Sequence, residues 1–318
     1  MLIVQFAQTV CVSLWLGGVA PQKTIDADVY TKPATLVSVG SHRRLNLYCV
    51  GEGQPTVVLE AGAASSMVVW GFVQPRVAER TRVCSYDRAG MGFSDQADRP
   101  SDASNIVEDL HSLLLNAHEA PPYLLAAHSS GALYARLYAA RYPDEVVGFV
   151  LVDPASEYGS DAYRSVDPRR RSAKDWHDQV EAKEQPALRR CVLAAERDTL
   201  KRGSAEWKQC IDEPAPVFSD RVQAAIERFE AGEGYQRAAL SEDEEFATSE
   251  SELRESSNRF VGMAPLIVLT SHCATAPSWT ARTLAERYEH SAQKFSALSA
   301  SLRHHTQLTR NGVRCALR

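Results

Sequence analysis

The apolar positions of this chain fall into short unbroken runs separated by longer amphipathic stretches. TVVLEAG (56–62), RVCSYD (82–87), PYLLAAHS (122–129), VVGFVLVD (146–153) and PLIVLT (265–270) are the runs. Runs this short and continuous predict strands buried on both faces, as in a parallel sheet. Between them, NIVEDLHSLLL from Asn105 to Leu115 and the stretch from Ala132 to Tyr142 space their apolar residues as one face of a helix. Strand, helix, strand, helix predicts an α/β fold with a doubly wound, mostly parallel sheet. Upstream, TLVSVG and RRLNLYCVG flank Ser41 and His42 and read as a hairpin.

From Ala155 to about Val261 the pattern changes. Charges crowd, Trp176 and Trp207 appear, and no long strand-like run occurs, so this stretch reads as a helical cap inserted into the core. PLIVLT then restores the buried-strand pattern, and Ser278 to Leu302 reads as a helix. The expected organisation is a leader over 1–22, the first part of the core over 34–154, the cap over 155–261 and the rest of the core over 262–318.

Composition narrows the function. With 44% hydrophobic and 24% charged residues, the 318-residue chain is ordinary globular material. A net charge of -5 with both signs interspersed offers no basic face for phosphates, which excludes nucleic acid as an expected partner. The first twenty residues, MLIVQFAQTVCVSLWLGGVA, resemble the apolar part of a secretory signal, so the expectation is an exported protein, periplasmic or secreted. No Lys or Arg precedes Lys23 and Pro21 follows the Ala20 cleavage point, which leaves open membrane association through residues 1–20 or a buried helix. Seven cysteines suit an oxidising compartment, the odd one being assigned to the leader as Cys11. Neither CxxC nor a plausible His pair at helical spacing occurs, so no metal is expected.

Candidate chemistry centres on Ala127-His128-Ser129-Ser130-Gly131, placed between an apolar strand and a helix. A serine on so sharp a turn needs small residues two before and two after it, and Ala127 and Gly131 supply them. The turn also aims the Ser130 backbone N–H at the oxygen that becomes negative in acyl transfer. Together with VVLEAG, TRVCSYDRAGMGFSD, the run from Ala127 to Pro154, and PLIVLT, this segment resembles the α/β-hydrolase superfamily over residues 34 to 302. The likeness is closest to exported bacterial members.

That resemblance implies an α/β-hydrolase fold with Ser129 as nucleophile and oxyanion-hole N–H groups from Ala63 and Ser130. It implies structural roles for Asp87, Arg88, Gly90 and His128, the last pointing away from the nucleophile. Ala127 and Ala132 depart from the family's glycines but stay small. The acid is expected at Asp153, since Ser271 to Trp279 holds no carboxylate; the alternative is that Asp153 caps backbone donors. For the histidine only His304 and His305 are near enough in sequence to substitute; the alternative is that they are ordinary exposed residues at a helix–strand junction. Gly312 is followed by Val313 instead of His, and no closing helix follows, which is the pattern of a shifted frame or truncated product.

The expected function is hydrolysis of a carboxylic ester or related small acyl substrate through acyl-Ser129, with no cofactor and no obligate protein partner. The alternative is a non-catalytic member that only binds a small apolar ligand. Cys191 and Cys210, 19 positions apart in the cap, are expected to be bonded. Cys49 and Cys84 lie on strands the fold makes neighbours and are expected to serve as small apolar residues.

Overall fold

A computed structural model describes residues 24–40, 42–158, 185–212, 215, 217–256 and 264–269. Residues 1–20, the helix expected over 278–302, His304 and His305 lie outside these. The described strands are β1 (Thr35–Val39), β2 (Arg43–Val50), β3 (Thr56–Glu60), β4 (Val83–Tyr86), β5 (Tyr123–His128), β6 (Val146–Val152) and β7 (Leu266–Leu269). They form one sheet in the order β1-β2-β4-β3-β5-β6-β7. β1 and β2 make the expected hairpin, β2 runs antiparallel to β4, and every pairing from β4 through β7 is parallel. The apolar runs of β3 and β4 have their physical reason here: all five residues of β3 and all four of β4 are buried, because helices cover both faces of the sheet centre. The run at 265–270, expected to be buried likewise, instead gives β7 at the edge of the described sheet with all four residues exposed.

Helix α1 is the short Gln74–Ala78. Helix α2 (Ala103–Asn116) begins where the Asp102 side chain accepts from the Asn105 N–H, and it buries Ile106, Val107, Leu110, Leu113 and Leu114. Helix α3 (Gly131–Arg141) follows β5 and is buried along nearly its whole length, Tyr134 and Tyr138 included. Its faces meet β5 and α2 in one core containing Val58, Leu125, Leu133 and Leu137. Each such side chain contributes roughly 1.5–3 kcal/mol by leaving water.

Five described helices lie between β6 and β7: α4 (Gln185–Glu196), α5 (Ala205–Cys210), α6 (Asp220–Glu230), α7 (Glu233–Glu244) and α8 (Phe246–Ser256). They differ in what they touch. The α8 helix lies on the α2–α3 layer, where Ser249 Oγ and Glu252 Oε2 accept from the N–H groups of Ala103 and Ser104 at 2.9 Å each, and Leu253 joins the main core. Near the amino end, Ile25 bridges to Phe218 and packs with Val222 and Ile226 of α6.

Cys191 and Cys210 are bonded, joining α4 to the end of α5 across a sequence separation of 19. The structure also bonds Cys49 to Cys84, a pair the sequence reading treated only as small apolar residues. The two are direct partners in the β2–β4 register, 4.1 Å apart at Cα, and facing antiparallel positions bring their side chains together. Two disulfides suit an oxidising, exported setting. Among the described residues no helix is long and apolar enough to cross a membrane. Replacing Cys191 and Cys210 by Ser should cost about 3 kcal/mol in the chain-entropy picture, read as a lower urea midpoint. Peptide mapping without reductant should recover both cross-links from protein made in an oxidising compartment, and free thiols at all four positions would contradict it.

Candidate active site

Ser129 stands at the carboxyl end of β5 with φ +52°, a left-handed conformation that costs a non-glycine residue roughly 1–2 kcal/mol. Backbone bonds on both sides hold it there. Its N–H donates to Val152 O at 3.1 Å, and its carbonyl accepts from Ala132 N at 3.0 Å and Ala155 N at 2.9 Å. The need for small neighbours is visible. A Cβ added at Gly131 would lie 2.6 Å from Ala61 O and 2.9 Å from Glu60 O, so the start of α3 rests directly on the end of β3. Ala127 and Ala132 are wholly buried. Ser130 is the N-cap of α3, and none of the described residues accepts from its N–H.

Opposite the elbow runs the loop after β3. A Cβ on Gly62 would sit 3.2 Å from Ser129 Cβ, so the loop and the elbow are in van der Waals contact. Ala63 is exposed and Ala64 has φ +51°. Ala64 N–H donates to Glu242 Oε2 at 2.8 Å, and Ala64 O accepts from Tyr235 OH at 3.0 Å. Ala63 N–H donates to none of the described residues.

Beneath that loop lies Arg88, 4% exposed. Its guanidinium donates to Glu60 Oε1 at 2.8 Å, Ala61 O at 2.9 Å, Gly62 O at 2.6 Å and Glu242 Oε1 at 2.7 Å. Burial raises the pKa of the Glu60 carboxyl, while the Arg88 charge and the Tyr86 hydroxyl that donates to it pull the other way. Sequence reading assigned Arg88 a structural place but missed Glu60 and Glu242. A signal existed for Glu60, a carboxylate inside an otherwise apolar strand run. Glu242 is buried in α7, whose other acids are exposed (Glu233, Glu244) or half-buried (Asp243), and nothing in its local pattern marks it.

The remaining candidates divide. Asp153 directly follows β6, beside the elbow, with φ +41° and its N–H on Leu269 O at 2.8 Å. Asp87 is buried and accepts from Asn46 Nδ2, Met67 N and Phe93 N, so it organises the turn around itself. His128 packs against the loop, its Nδ1 3.0 Å from where a Gly62 Cβ would be. Burial lowers its pKa, with the Asp153 charge opposing. Among the described residues, Cys49, Cys84 and Glu119 are the one group of three or more His, Cys, Asp or Glu residues with ligand atoms within 4.8 Å of one another, and the two sulfurs are bonded to each other, which leaves no thiolate for a metal.

A serine held in left-handed conformation at a strand-to-helix turn, over a sheet of this order, defines an α/β hydrolase. The chain belongs to the alpha/beta hydrolase family, whose sequence profile matches residues 57–303. It is 37% identical over 105 residues to the uncharacterised protein YqjL of Bacillus subtilis, covering 33% of this chain and 42% of that one. An AB hydrolase superfamily protein of Gibberella zeae is 36% identical over 108 residues, covering 33% of this chain and 34% of its own length. The matches thus span less than half of these relatives. Among solved structures, a loop variant of the haloalkane dehalogenase DbeA from Bradyrhizobium elkanii superposes with TM-score 0.57 at 16% identity, covering 84% of this chain and 98% of that one.

Two outcomes follow from this packing. Gly131→Ala should destabilise the chain by roughly 1–3 kcal/mol, since a methyl there meets two backbone carbonyls and the inner Cγ of the buried Glu60 side chain; an unchanged urea midpoint would show that α3 can shift. The His128 imidazole has a folded pKa below its ordinary value, so the unfolded chain binds the extra proton first. Its contribution to stability is complete above about pH 6.5 and is lost as pH falls below that, with a slope of at most about 1.4 kcal/mol per pH unit. Unfolding curves of His128→Asn should lack that part of the acid slope of the parent.

Proposed function

We propose that this chain is a serine hydrolase of carboxylic esters or related acyl compounds, working through an acyl-Ser129 intermediate. The observation that carries the reading is the elbow itself. Ser129 is held at φ +52° at the mouth of a helix N-terminus, with the N–H groups of Ser130 and Ala63 both unengaged by described residues. In the proposed reaction Ser129 Oγ adds to the acyl carbonyl, and the resulting oxyanion accepts from Ala63 and Ser130. Collapse expels the alcohol, and water repeats the addition to release the acid. His304 or His305 would take and return the proton, oriented by Asp153. The helices between β6 and β7 would cap the site and select a small-molecule substrate.

The side chain at the nucleophile position argues for carbonyl substrates. A carboxylate that displaces halide from an alkyl carbon forms an ester, which water can cleave at its carbonyl. A serine hydroxyl doing the same would form an ether, with no carbonyl for water to attack, and the enzyme would stop after one event. The dehalogenase chemistry in the neighbour's name therefore does not suit Ser129.

A second reading, ligand binding without turnover, has its own observation: Val313 follows Gly312 where the resemblance calls for histidine. Losing the histidine in a serine protease costs about 2 × 10⁶ in turnover, and a residual acceleration of about 10³ to 10⁴ remains from oxyanion donors and binding.

A fluorophosphonate probe distinguishes the two, because it needs an activated serine. On the hydrolase reading the parent is labelled at Ser129, and Ser129→Ala abolishes labelling and p-nitrophenyl ester turnover with a nearly unchanged melting temperature. Folded parent protein that takes up no probe would favour the binding reading. Turnover that collapses in the double variant His304→Ala with His305→Ala would place the base there; turnover equal to the parent's would remove both residues from the mechanism.

A further inference from the structure

The loop facing Ser129 is fastened from below by a pair of charges that come from distant parts of the chain. Arg88 holds two successive carbonyls, Ala61 O at 2.9 Å and Gly62 O at 2.6 Å. In a trans peptide the C=O and the N–H point in opposite directions across the same plane. Gly62 O and Ala63 N–H belong to one peptide unit, so a guanidinium that pulls Gly62 O downward turns Ala63 N–H outward. Glu242 fixes the next unit, its Oε2 accepting from Ala64 N–H at 2.8 Å while its Oε1 accepts from Arg88 Nε at 2.7 Å.

The anchor for this clamp is α7, whose Glu242 lies 154 positions beyond Arg88 in sequence. The helix is pressed against the Arg88–Gly90 turn so closely that a Cβ on Gly90 would meet Ala238 Cβ at 2.5 Å and Gly234 O at 2.8 Å. Arg88 and Glu242 are each 4% exposed or less, and Glu60 Oε1 completes the guanidinium's partners at 2.8 Å. Both charges are held out of bulk water and each is the other's counter-charge, so the loop's shape depends on both being present.

We propose that Glu242, acting through Arg88 and directly on Ala64, is a positioning residue that aims the Ala63 N–H at the oxyanion formed on Ser129, so that helix α7 sets the strength of the oxyanion hole. The proposal rests on the acyl-Ser129 reading above. It assigns a role to α7 beyond covering a pocket: a displacement of that helix by a bound substrate or partner would reach the loop through the Glu242 carboxylate, with the Tyr235 hydroxyl on Ala64 O beside it.

Glu242→Gln tests it at constant size. Oε1 accepts from Arg88 Nε, and Oε2 from both Ala64 N–H and Arg88 Nη2, so an amide must turn its NH₂ toward a donor in either orientation, and at least one contact is lost. Removing an oxyanion donor outright costs about 10²–10³ in rate in a serine protease; a misaimed donor should slow fluorophosphonate labelling by about tenfold or more. Ester kcat should fall with KM little changed, because ground-state binding does not use the oxyanion. Glu252→Gln is the control, since Glu252 likewise accepts a backbone N–H, that of Ser104, in another part of the fold. Parent-like labelling in folded Glu242→Gln, or an equal loss in Glu252→Gln, would overturn the proposal. Where the parent itself takes no probe, the acyl-transfer reading has failed, and amide exchange over residues 61–66 still reads the clamp. Protection lost in Glu242→Gln and kept in Glu252→Gln supports it, and unchanged protection overturns it.

Discussion

The buried guanidinium of Arg88 is the constraint around which the carboxyl edge of this sheet is organised. A charge removed from water is tolerable only when partners surround it, and here they come from three places: Glu60 at the end of β3, the carbonyls of Ala61 and Gly62, and Glu242 on α7. The same contacts that neutralise the charge fasten the end of one strand, the following loop and a helix far along the chain into one unit. Tyr134 adds its ring, 5.5 Å from the guanidinium carbon, which links that unit to α3.

Strained backbone gathers at this edge. Ala64, Ser129 and Asp153 all adopt positive φ without being glycine, and each follows the end of a parallel strand. Such conformations persist only where neighbours over-determine them. For Ser129 the neighbours are Val152 and Ala155; for Ala64 they are Glu242 and Tyr235. Loop and elbow are therefore braced independently and meet at Gly62, which has no side chain to hold them apart. A site proposed to stabilise transient negative charge benefits from such bracing, because donors already aimed need not reorganise during the reaction.

Away from the edge, cohesion is of an ordinary kind. The α2–α3 layer buries its apolar faces against β5, and two disulfides limit how far the chain can open. The Arg43 guanidinium, bidentate with Asp109, ties the hairpin to α2.

Local pattern determined a great deal by itself. Continuous apolar runs marked β3 to β7, and the segments flanking Ser41 and His42 marked the hairpin; in β3 and β4 the run is unbroken because a strand buried on both faces has few polar positions to spare. The apolar spacing from Asn105 to Leu115 marked α2, and the small residues around Ser129 marked the elbow, because only such residues fit beside so tight a turn. Cys191 and Cys210 were legible as a pair from their spacing. What local pattern left undecided concerns partners far apart in sequence. Cys49 and Cys84 look like any small core residues until strand register sets them opposite each other. Glu242 looks like one more acid in a charged helix until folding carries it to Arg88. A hydrogen bond across 154 positions leaves no trace in either neighbourhood, since each residue is compatible locally with many settings, and tertiary packing alone decides which carboxylate loses its water and must find a cation.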